Sequence, residues 1–354
     1  MTKRSKIVIP LVIIGLISTI VTFSLVYVLN TAGPPIIEIE KEAANSMQPS
    51  QDPVVNIYKS IKRDWTFDPE EADKLSALLE RECNTTELFL TTQTNVHLND
   101  TLKFEAERKS RLNVTSDVFE RFPKKMPFAS KSFKKCSLVG SSGILLGSKC
   151  GQSIDAADFV MRFNLASVRN YSEDVGSKTD LITCNPTILE RKYASLDKNG
   201  TLDFKDYMQR EYSDSLVYMP AFTYFSCKNL SFAVQDALEP LNFKVVYPHP
   251  SHITLVKKFW KARNIKERRT TTGFLLFSGA MSFCEEVHLY GYWPFPNDPD
   301  GNPLYYHYFD KDAVMLPPEK LKKLHHNMHT EFTMLRDLHN KGAIHMHVGK
   351  CSSS

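Results

Sequence analysis

The chain has 354 residues, of which 42% are hydrophobic and 24% are charged, and its formal net charge is +4. A chain of this length and composition can bury one large core or two modest ones. The positive balance is too small to indicate nucleic-acid binding, although a locally basic rim could still favour an anionic substrate.

The N-terminus carries the clearest signal in the sequence. Residues 7–29 contain no charged side chain and, at about 1.5 Å per residue in a helix, they are long enough to cross a hydrocarbon core of roughly 30 Å. Lys3, Arg4 and Lys6 precede this run, so the positive-inside rule predicts that residues 1–6 are cytoplasmic and that the chain after the span is lumenal. A cleaved signal peptide is less favoured, because the run exceeds a usual h-region and no clear cleavage site follows it.

Lumenal topology agrees with the glycosylation signals and the cysteines. All N-x-Ser/Thr acceptors follow the predicted span, at Asn84, Asn99, Asn113, Asn170, Asn199 and Asn229. The seven cysteines also follow it, as expected in an oxidising compartment, at positions 83, 136, 150, 184, 227, 284 and 351. An odd number leaves at least one thiol unpaired or in an intermolecular bond.

Residues 30–66 are predicted to be a stem, because they mix prolines with acidic and amide side chains and offer no sustained apolar face. A folded domain is predicted over residues 67–354. The stretch from Asp68 to Arg81 predicts its first helix, with an acidic start, leucines at helical spacing and a basic end. Between Cys83 and Lys135 acceptors and charges are dense, which indicates a lid or a surface near the stem.

The stretch from Cys136 to Asn164 predicts a strand, a glycine-bearing turn and a second buried strand. The apolar run that ends at Gly140 is followed by Ser141, Ser142 and Gly143, whose small side chains let backbone N–H groups approach a ligand closely. A turn of this kind is weak evidence for a ligand site when it stands alone.

The rest of the chain alternates strand and helix signals. Strands are predicted at residues 181–183, 215–219, 243–247 and 287–290, and helices at residues 255–263, 273–284 and 331–340. This alternation predicts an α/β fold with a mostly parallel sheet flanked by helices, whose ligands bind at the carboxyl ends of the strands.

Three groups of residues near the C-terminus could carry chemistry. Thr270 to Gly273 precede an apolar helix, so their hydroxyl and N–H groups form either an anion site or a simple N-cap, and the cap is the commoner outcome.

Tyr305 to Asp310 form the second group, in which Tyr306 could wall a sugar or base and His307 could donate to a phosphate oxygen. His326 and Glu331 belong to the third group, where His326 could act as a general base. A zinc site formed by His326, His329 and Glu331 is disfavoured, since no HExxH pattern is present.

These residues carry a resemblance to the sialyltransferases, and within them to the mono- and oligo-sialylating α-2,8 branch. Four family motifs occur in order over residues 136–351. They are a long motif at 136–184, a short motif at 271–295, a third motif at 307–310 and a very short motif that joins His326 to Glu331. The resemblance implies a single GT-A-like, Rossmann-type domain preceded by the transmembrane helix and stem.

The resemblance also implies roles for individual residues. The resemblance implies donor contacts for Asn164, Thr271, Thr272, Gly273 and Trp293. The residues themselves add Ser141, Ser142 and Gly143 of the turn and the aromatic Tyr306 as candidate donor-binding residues. His307 would meet the donor phosphate, and His326 would take the proton of the acceptor hydroxyl. Two disulfides are implied, Cys136–Cys284 and Cys150–Cys351, each of which would constrain the unfolded chain by roughly 5 kcal/mol. The sequence departs from the family at Ser141, where an Asn usually helps to bind the donor, so donor affinity or activity could be reduced.

The implied reaction moves sialic acid from CMP-sialic acid to the 8-hydroxyl of a terminal sialic acid on a glycolipid or glycoprotein. We expect a Golgi membrane enzyme that inverts at C2, requires no metal or other cofactor, does not bind nucleic acid and is compatible with a homodimer. Asp298 and Asp300 lie in a turn composition and are interpreted as a loop rather than a metal site. The alternatives are α-2,3 or α-2,6 transfer to galactose or N-acetylgalactosamine, and an inactive lumenal protein that binds CMP or glycans.

Overall fold

A computed structural model describes residues 53–61, 64–107, 109–265, 269–311 and 328–351. The predicted cytoplasmic tail, the predicted span at residues 7–29 and most of the predicted stem lie outside these ranges. Within them, no helix combines the length and the apolar character that crossing a bilayer requires.

A seven-stranded sheet forms the centre of the domain, and every pair of neighbouring strands in it is parallel. Its order is β7-β6-β5-β4-β3-β8-β9. Its strands are β3 (Phe133–Val139), β4 (Phe159–Arg162), β5 (Leu181–Thr183), β6 (Leu216–Tyr218), β7 (Lys244–Val246), β8 (Cys284–Tyr290) and β9 (His345–His347). A separate antiparallel pair consists of β1 (Thr101–Lys103) and β2 (Arg111–Asn113). The predicted parallel α/β fold and the four predicted strand positions are confirmed.

Helices connect these strands. The α-helices are α1 (Pro53–Lys59), α2 (Pro69–Cys83), α3 (Thr85–Leu88), α4 (Ser116–Glu120), α5 (Gly151–Asp155), α6 (Ser172–Val175), α7 (Pro186–Lys192), α8 (Lys198–Tyr212), α9 (Phe225–Leu238), α10 (Pro250–Lys261), α11 (Thr272–Phe283) and α12 (Met328–Asn340). Short 3₁₀ turns occur at Gly143–Leu145, Ala194–Leu196 and Glu239–Leu241. Helix α2 confirms the first predicted helix, and its Asp68 cap accepts from the N–H groups of Glu70 and Glu71.

The strand order reverses direction between β3 and β8. From β3 the chain proceeds outward through β4, β5, β6 and β7, and it then returns to place β8 and β9 on the other side of β3. Right-handed crossovers on the two sides of such a point place their helices on opposite faces, which leaves a crevice at the carboxyl ends of the two central strands. The fold therefore predicts that a ligand binds where β3 and β8 end.

The interpretation of residues 83–135 as a lid or a surface near the stem is wrong. Phe89, Leu90, Phe104, Phe122 and Phe128 from this segment are buried in the main hydrophobic core. Phe89 packs so closely against helix α11 that a Cβ at Gly279 would lie 2.2 Å from its ring. The glycosylation acceptors and charged residues that suggested a surface lie between these buried side chains. Their high density in the sequence therefore did not reveal which residues are buried.

The ordered chain also extends into the predicted stem. Helix α1 lies within residues 30–66, Ile61 is buried in the core, and the indole of Trp65 stacks on the ring of His345 with centroids 4.1 Å apart. Because these contacts join residues far apart in sequence, local composition did not predict them. The structure thus differs from the predicted boundary at residue 67.

Both disulfides implied by the resemblance are present. Cys136–Cys284 joins the middle of β3 to the start of β8, and Cys150–Cys351 joins the start of α5 to the C-terminal segment. The remaining three thiols, at Cys83, Cys184 and Cys227, are free and buried. Burial raises the pKa of the Cys83 thiol to about 12, so this side chain behaves as a small apolar group.

Candidate active site

A cleft opens where β3 and β8 end. Gly140 follows β3 and Gly291 follows β8, and a Cβ at Gly140 would lie 2.5 Å from the carbonyl oxygen of Gly291. Only glycine at position 140 permits this close approach of the two chain segments. The cleft has a volume of about 170 Å³.

Most of the predicted donor-site residues meet in this cleft. Its lining includes Ser141, Ser142, Thr271, Gly273, Trp293, Tyr306 and His307. Gly143, Asn164 and Thr272 are not part of the lining. The predicted base, His326, lies outside the described residues. The roles of all these side chains stay predictions, but segments separated by more than a hundred residues do converge on one site.

The turn after β3 is bound to the segment that carries His307. The N–H of Gly143 donates to the carbonyl of Tyr305 at 3.2 Å, and the N–H of Tyr308 donates to the carbonyl of Ser141 at 2.9 Å. A Cβ at Gly143 would lie 2.4 Å from the Tyr305 oxygen. The sequence predicts that the Gly143 N–H contacts a ligand. In the structure this N–H instead donates to the carbonyl of a residue far away in sequence. Gly143 instead allows the two loops to pack together.

Glu331 of α12 fixes the start of α11. Its carboxylate accepts from the Thr271 N–H at 2.7 Å and from the Thr271 hydroxyl at 2.6 Å, and Glu331 is only 4% exposed. The same Thr271 hydroxyl accepts from the N–H of Phe274 at 3.1 Å, as an N-cap does. The predicted cap is thus confirmed, and the N–H groups of Thr272 and Gly273 remain as helix-terminal donors without an intrahelical acceptor.

His307 lies among aromatic rings beside the turn after β3. Its ring is nearly parallel to that of Phe309, with centroids 5.2 Å apart, and lies 4.4 Å from that of Tyr306. Burial lowers the pKa of His307 below its ordinary value, and Asp310 opposes that shift. At neutral pH the imidazole is therefore neutral and can donate one N–H to a ligand.

Aromatic side chains form the opposite wall. The indole N–H of Trp293 donates to the carbonyl of Asn297 at 2.8 Å, and its ring packs edge-on against Phe332. Tyr292 donates from its hydroxyl to the carbonyl of Gly273 at 3.2 Å, which joins the two walls. Tyr292 and Phe163 also line the cleft, although neither is among the site residues predicted from the sequence. Phe163 directly follows β4 and Tyr292 lies two residues after β8, and these positions at strand ends are the signal that could have identified them.

Asn164 has a structural role in the described contacts. It adopts a left-handed φ of 56°, its N–H donates to the Thr183 hydroxyl at 2.9 Å, and its side-chain oxygen accepts from the Asn185 N–H at 3.2 Å. These bonds join the carboxyl ends of β4 and β5. Asn185 and Thr272 line a second cleft of about 360 Å³, which shares Thr271 with the first.

The acidic string at residues 298–300 forms a turn, as predicted. The Asp298 carboxylate accepts from the N–H groups of Asp300 and Asn302 at 2.9 and 2.8 Å. This carboxylate therefore organises its own loop. Of the residues in the disfavoured zinc site, His326 lies outside the described residues, and the Glu331 carboxylate is hydrogen-bonded to Thr271.

The first cleft combines two features that suit a nucleotide. A helix N-terminus with unused N–H groups attracts negative charge, and His307 adds a neutral donor beside it. Aromatic rings on the facing wall offer a surface on which a base or a sugar can pack. The arrangement can bind a phosphorylated ligand and stabilise charge on a leaving phosphate.

Comparisons with known proteins show which proteins this chain resembles. A family model described as glycosyltransferase family 29 (sialyltransferase) matches residues 86–343. Rat alpha-2,8-sialyltransferase 8E is 36% identical over 292 residues, which cover 81% of this chain and 75% of that protein. A Xenopus tropicalis alpha-N-acetylneuraminide alpha-2,8-sialyltransferase is 37% identical over 292 residues, which cover 81% of each. A solved mammalian sialyltransferase is 20% identical, with 78% of this chain and 95% of that chain covered and a TM-score of 0.47.

Proposed function

Because the chain belongs to glycosyltransferase family 29, the sialyltransferases, we propose that it transfers sialic acid from CMP-sialic acid to the 8-hydroxyl of a terminal sialic acid. The acceptor is a glycolipid or glycoprotein glycan. The observation that carries the proposal is the convergence of the turn at Ser141 and Ser142, the start of α11 and His307 in one cleft where β3 and β8 end. The α-2,8 linkage is proposed from the relatives, whose names carry it.

The donor is proposed to bind with its phosphate at the start of α11. The helix-terminal N–H of Gly273, which lines this cleft, and the neutral imidazole of His307 are suitable donors for it. Trp293 and Tyr306 supply apolar surface for the nucleoside or sugar. Because the phosphate departs with the nucleotide, these donors stabilise the leaving group as the bond to C2 breaks.

The acceptor hydroxyl is proposed to lose its proton to His326, as the resemblance implies. Met328, two positions further along the chain, lines the cleft. Inversion at C2 is expected, because the base activates the acceptor for direct attack and no carboxylate is assigned as a nucleophile. We also propose that transfer requires no metal, since the leaving group carries a single phosphate that protein donors can stabilise.

The enzyme is proposed to be a type II Golgi membrane protein with residues 7–29 as its signal anchor. All six acceptor asparagines are exposed, and both described disulfides lie in the folded domain, as a lumenal location would require. A homodimer is a further proposal, which light scattering of the purified chain can test.

A transfer assay tests the proposed reaction. The purified full chain is incubated with CMP-sialic acid and either a sialylated acceptor or the same acceptor after sialidase treatment, and the new linkage is determined with linkage-selective sialidases. We expect α-2,8 product from the sialylated acceptor alone. Product on the desialylated acceptor would indicate α-2,3 or α-2,6 transfer, whereas CMP binding without transfer or donor hydrolysis would indicate an inactive binding protein.

The assay is sharpened by two histidine variants. His326→Ala should abolish transfer while leaving CMP binding largely intact. His97→Ala is the matched control, because His97 lies on the exposed surface away from both clefts. An active His326→Ala variant would contradict the assignment of the base.

A further inference from the structure

Three histidines that the proposed reaction does not use meet at the edge of the sheet. His288 lies on β8, and His345 and His347 lie on β9. His288 pairs directly with His345 in the register of the two strands, and residues two apart on a strand share one face. One ring nitrogen from each of the three lies within 4.8 Å of the others. We propose that these imidazoles bind a divalent transition-metal ion, with Zn²⁺ as the best match.

Glu286 prepares His288 to be a metal ligand. Its carboxylate is bonded to Nε2 of His288, so that nitrogen carries the proton and Nδ1 presents a lone pair. With this tautomer, Nδ1 of His288 accepts a hydrogen bond from Nε2 of His347 at 2.8 Å, and a bound ion would replace that bond. A carboxylate behind a ligating histidine is the usual support of protein zinc sites, since it fixes the tautomer and the ring orientation.

His345 supplies an independent observation. Within the described part of the chain, its Nδ1 is buried and has no hydrogen-bond partner. A buried polar atom in this condition costs free energy unless a ligand or water satisfies it. The Trp65 indole covers the ring with a centroid distance of 4.1 Å and an interplanar angle of 5°, so the ring is held in place beside the other two histidines.

The geometry fits zinc with a modest adjustment. Tetrahedral Zn–N bonds of about 2.0–2.1 Å place the nitrogen atoms about 3.4 Å apart. The rings of His288 and His347, 2.8 Å apart at their nearest nitrogens, must therefore separate by about half an ångström, while nitrogens as far apart as 4.8 Å must approach by up to about 1.4 Å. Three neutral imidazoles and an open fourth position for water suit Zn²⁺, Cu²⁺ or Ni²⁺, whereas Mg²⁺ and Ca²⁺ prefer oxygen ligands. Lys135 lies directly across from Glu286 in the β3–β8 register. Its positive charge disfavours a bound cation, and the negative charge of Glu286 offsets this effect.

The ion would join two strands that are otherwise held by backbone hydrogen bonds. Strand β8 leads directly into Gly291, Tyr292 and Trp293 of the cleft, while β9 precedes the segment whose Cys351 forms a disulfide. We therefore assign the metal a structural role at the sheet edge, distinct from the reaction. The proposal does not depend on which linkage the enzyme makes.

Zinc titration of the full chain tests the site. After treatment with EDTA and desalting, isothermal calorimetry with ZnCl₂ should show one saturable site per chain, and zinc should raise the Tm. His347→Gln should weaken binding at least tenfold and remove the Tm shift, and Glu286→Gln should weaken it about tenfold, as loss of an outer carboxylate does. The exposed His97→Ala control should bind zinc as the unchanged chain does.

X-ray absorption on the zinc-loaded wild-type chain gives a readout that does not depend on any variant. The expected first shell contains about three imidazole nitrogens at about 2.0 Å. The absence of saturable binding, an affinity unchanged in His347→Gln, or a shell of oxygen alone would overturn the proposal and show that the three rings only pack against one another.

Discussion

The contact between Glu331 and Thr271 permits a quantitative test of how the cleft is held. Both carboxylate oxygens of Glu331 are bonded to Thr271, at 2.7 and 2.6 Å, in a buried position. Hydrogen bonds to charged groups contribute about 1.5–3 kcal/mol each. Glu331→Gln removes the charge with little change of shape, and Thr271→Val removes the hydroxyl alone.

A double-mutant cycle isolates the side-chain interaction. Urea unfolding of the wild type, the two single variants and the double variant should give a coupling free energy of about 1.5–3 kcal/mol. Thr271→Val also removes the cap on Phe274, which costs about 1 kcal/mol, but this loss occurs in both arms of the cycle and cancels. A coupling below about 0.5 kcal/mol would refute the reasoning, because it is within the additivity error of independent sites.

The chain contains a matched control for the effect on the donor. Glu80 accepts from the N–H and the hydroxyl of Thr86 at 2.9 and 2.8 Å, and neither residue lines either cleft. Glu331→Gln should raise the KM for CMP-sialic acid, whereas Glu80→Gln should lower stability without changing that KM. Equal KM values in the two variants would show that Glu331 acts on stability alone.

Three further predictions concern burial, cross-linking and the donor. Burial lowers the pKa of His252 to about 3. As the pH falls through about 6.5, this imidazole is therefore protonated in the unfolded chain but stays neutral in the folded one. From pH 7 to pH 5, the free energy of unfolding measured in urea should therefore fall by about 2 kcal/mol more in the wild type than in His252→Leu. An equal fall in the two proteins would contradict this. Replacing Cys150 and Cys351 together by Ser should lower the free energy of unfolding by up to about 5 kcal/mol in guanidinium, since their sequence separation is 201; a change under about 1 kcal/mol would count against it. Ser141→Asn should lower the KM for the donor, and an unchanged value would place Ser141 outside the donor contacts.

Local chemistry predicted the regular elements well. The Asp68 cap identified α2, and the short run Leu-Ile-Thr at residues 181–183, with two β-branched side chains, identified β5 with its observed ends. Both signals act over a few residues, so one sequence is enough to detect them. The segment around Phe89 was misread for the opposite reason, because its buried rings are anchored by helices and strands far away in sequence.

The sequence predicted which residues belong to the site better than it predicted the contacts that these residues make. From the sequence, only the resemblance indicated that the turn at Ser141, the threonines at the start of α11 and His307 share one site. The fold gives the physical reason, because the strand order reverses beside β3 and leaves a crevice there. Occupation of the Gly143 N–H by the Tyr305 carbonyl depends on two loops meeting in space. The histidines of β8 and β9 likewise become neighbours only through the strand register.

A crystal structure of the full chain with cytidine monophosphate would test the central claim directly. We predict density for the nucleotide in the cleft between Ser141 and Trp293, with its phosphate within hydrogen-bond distance of the Gly273 N–H and of the His307 ring. Nucleotide density in the second cleft, or elsewhere on the surface, would contradict the account.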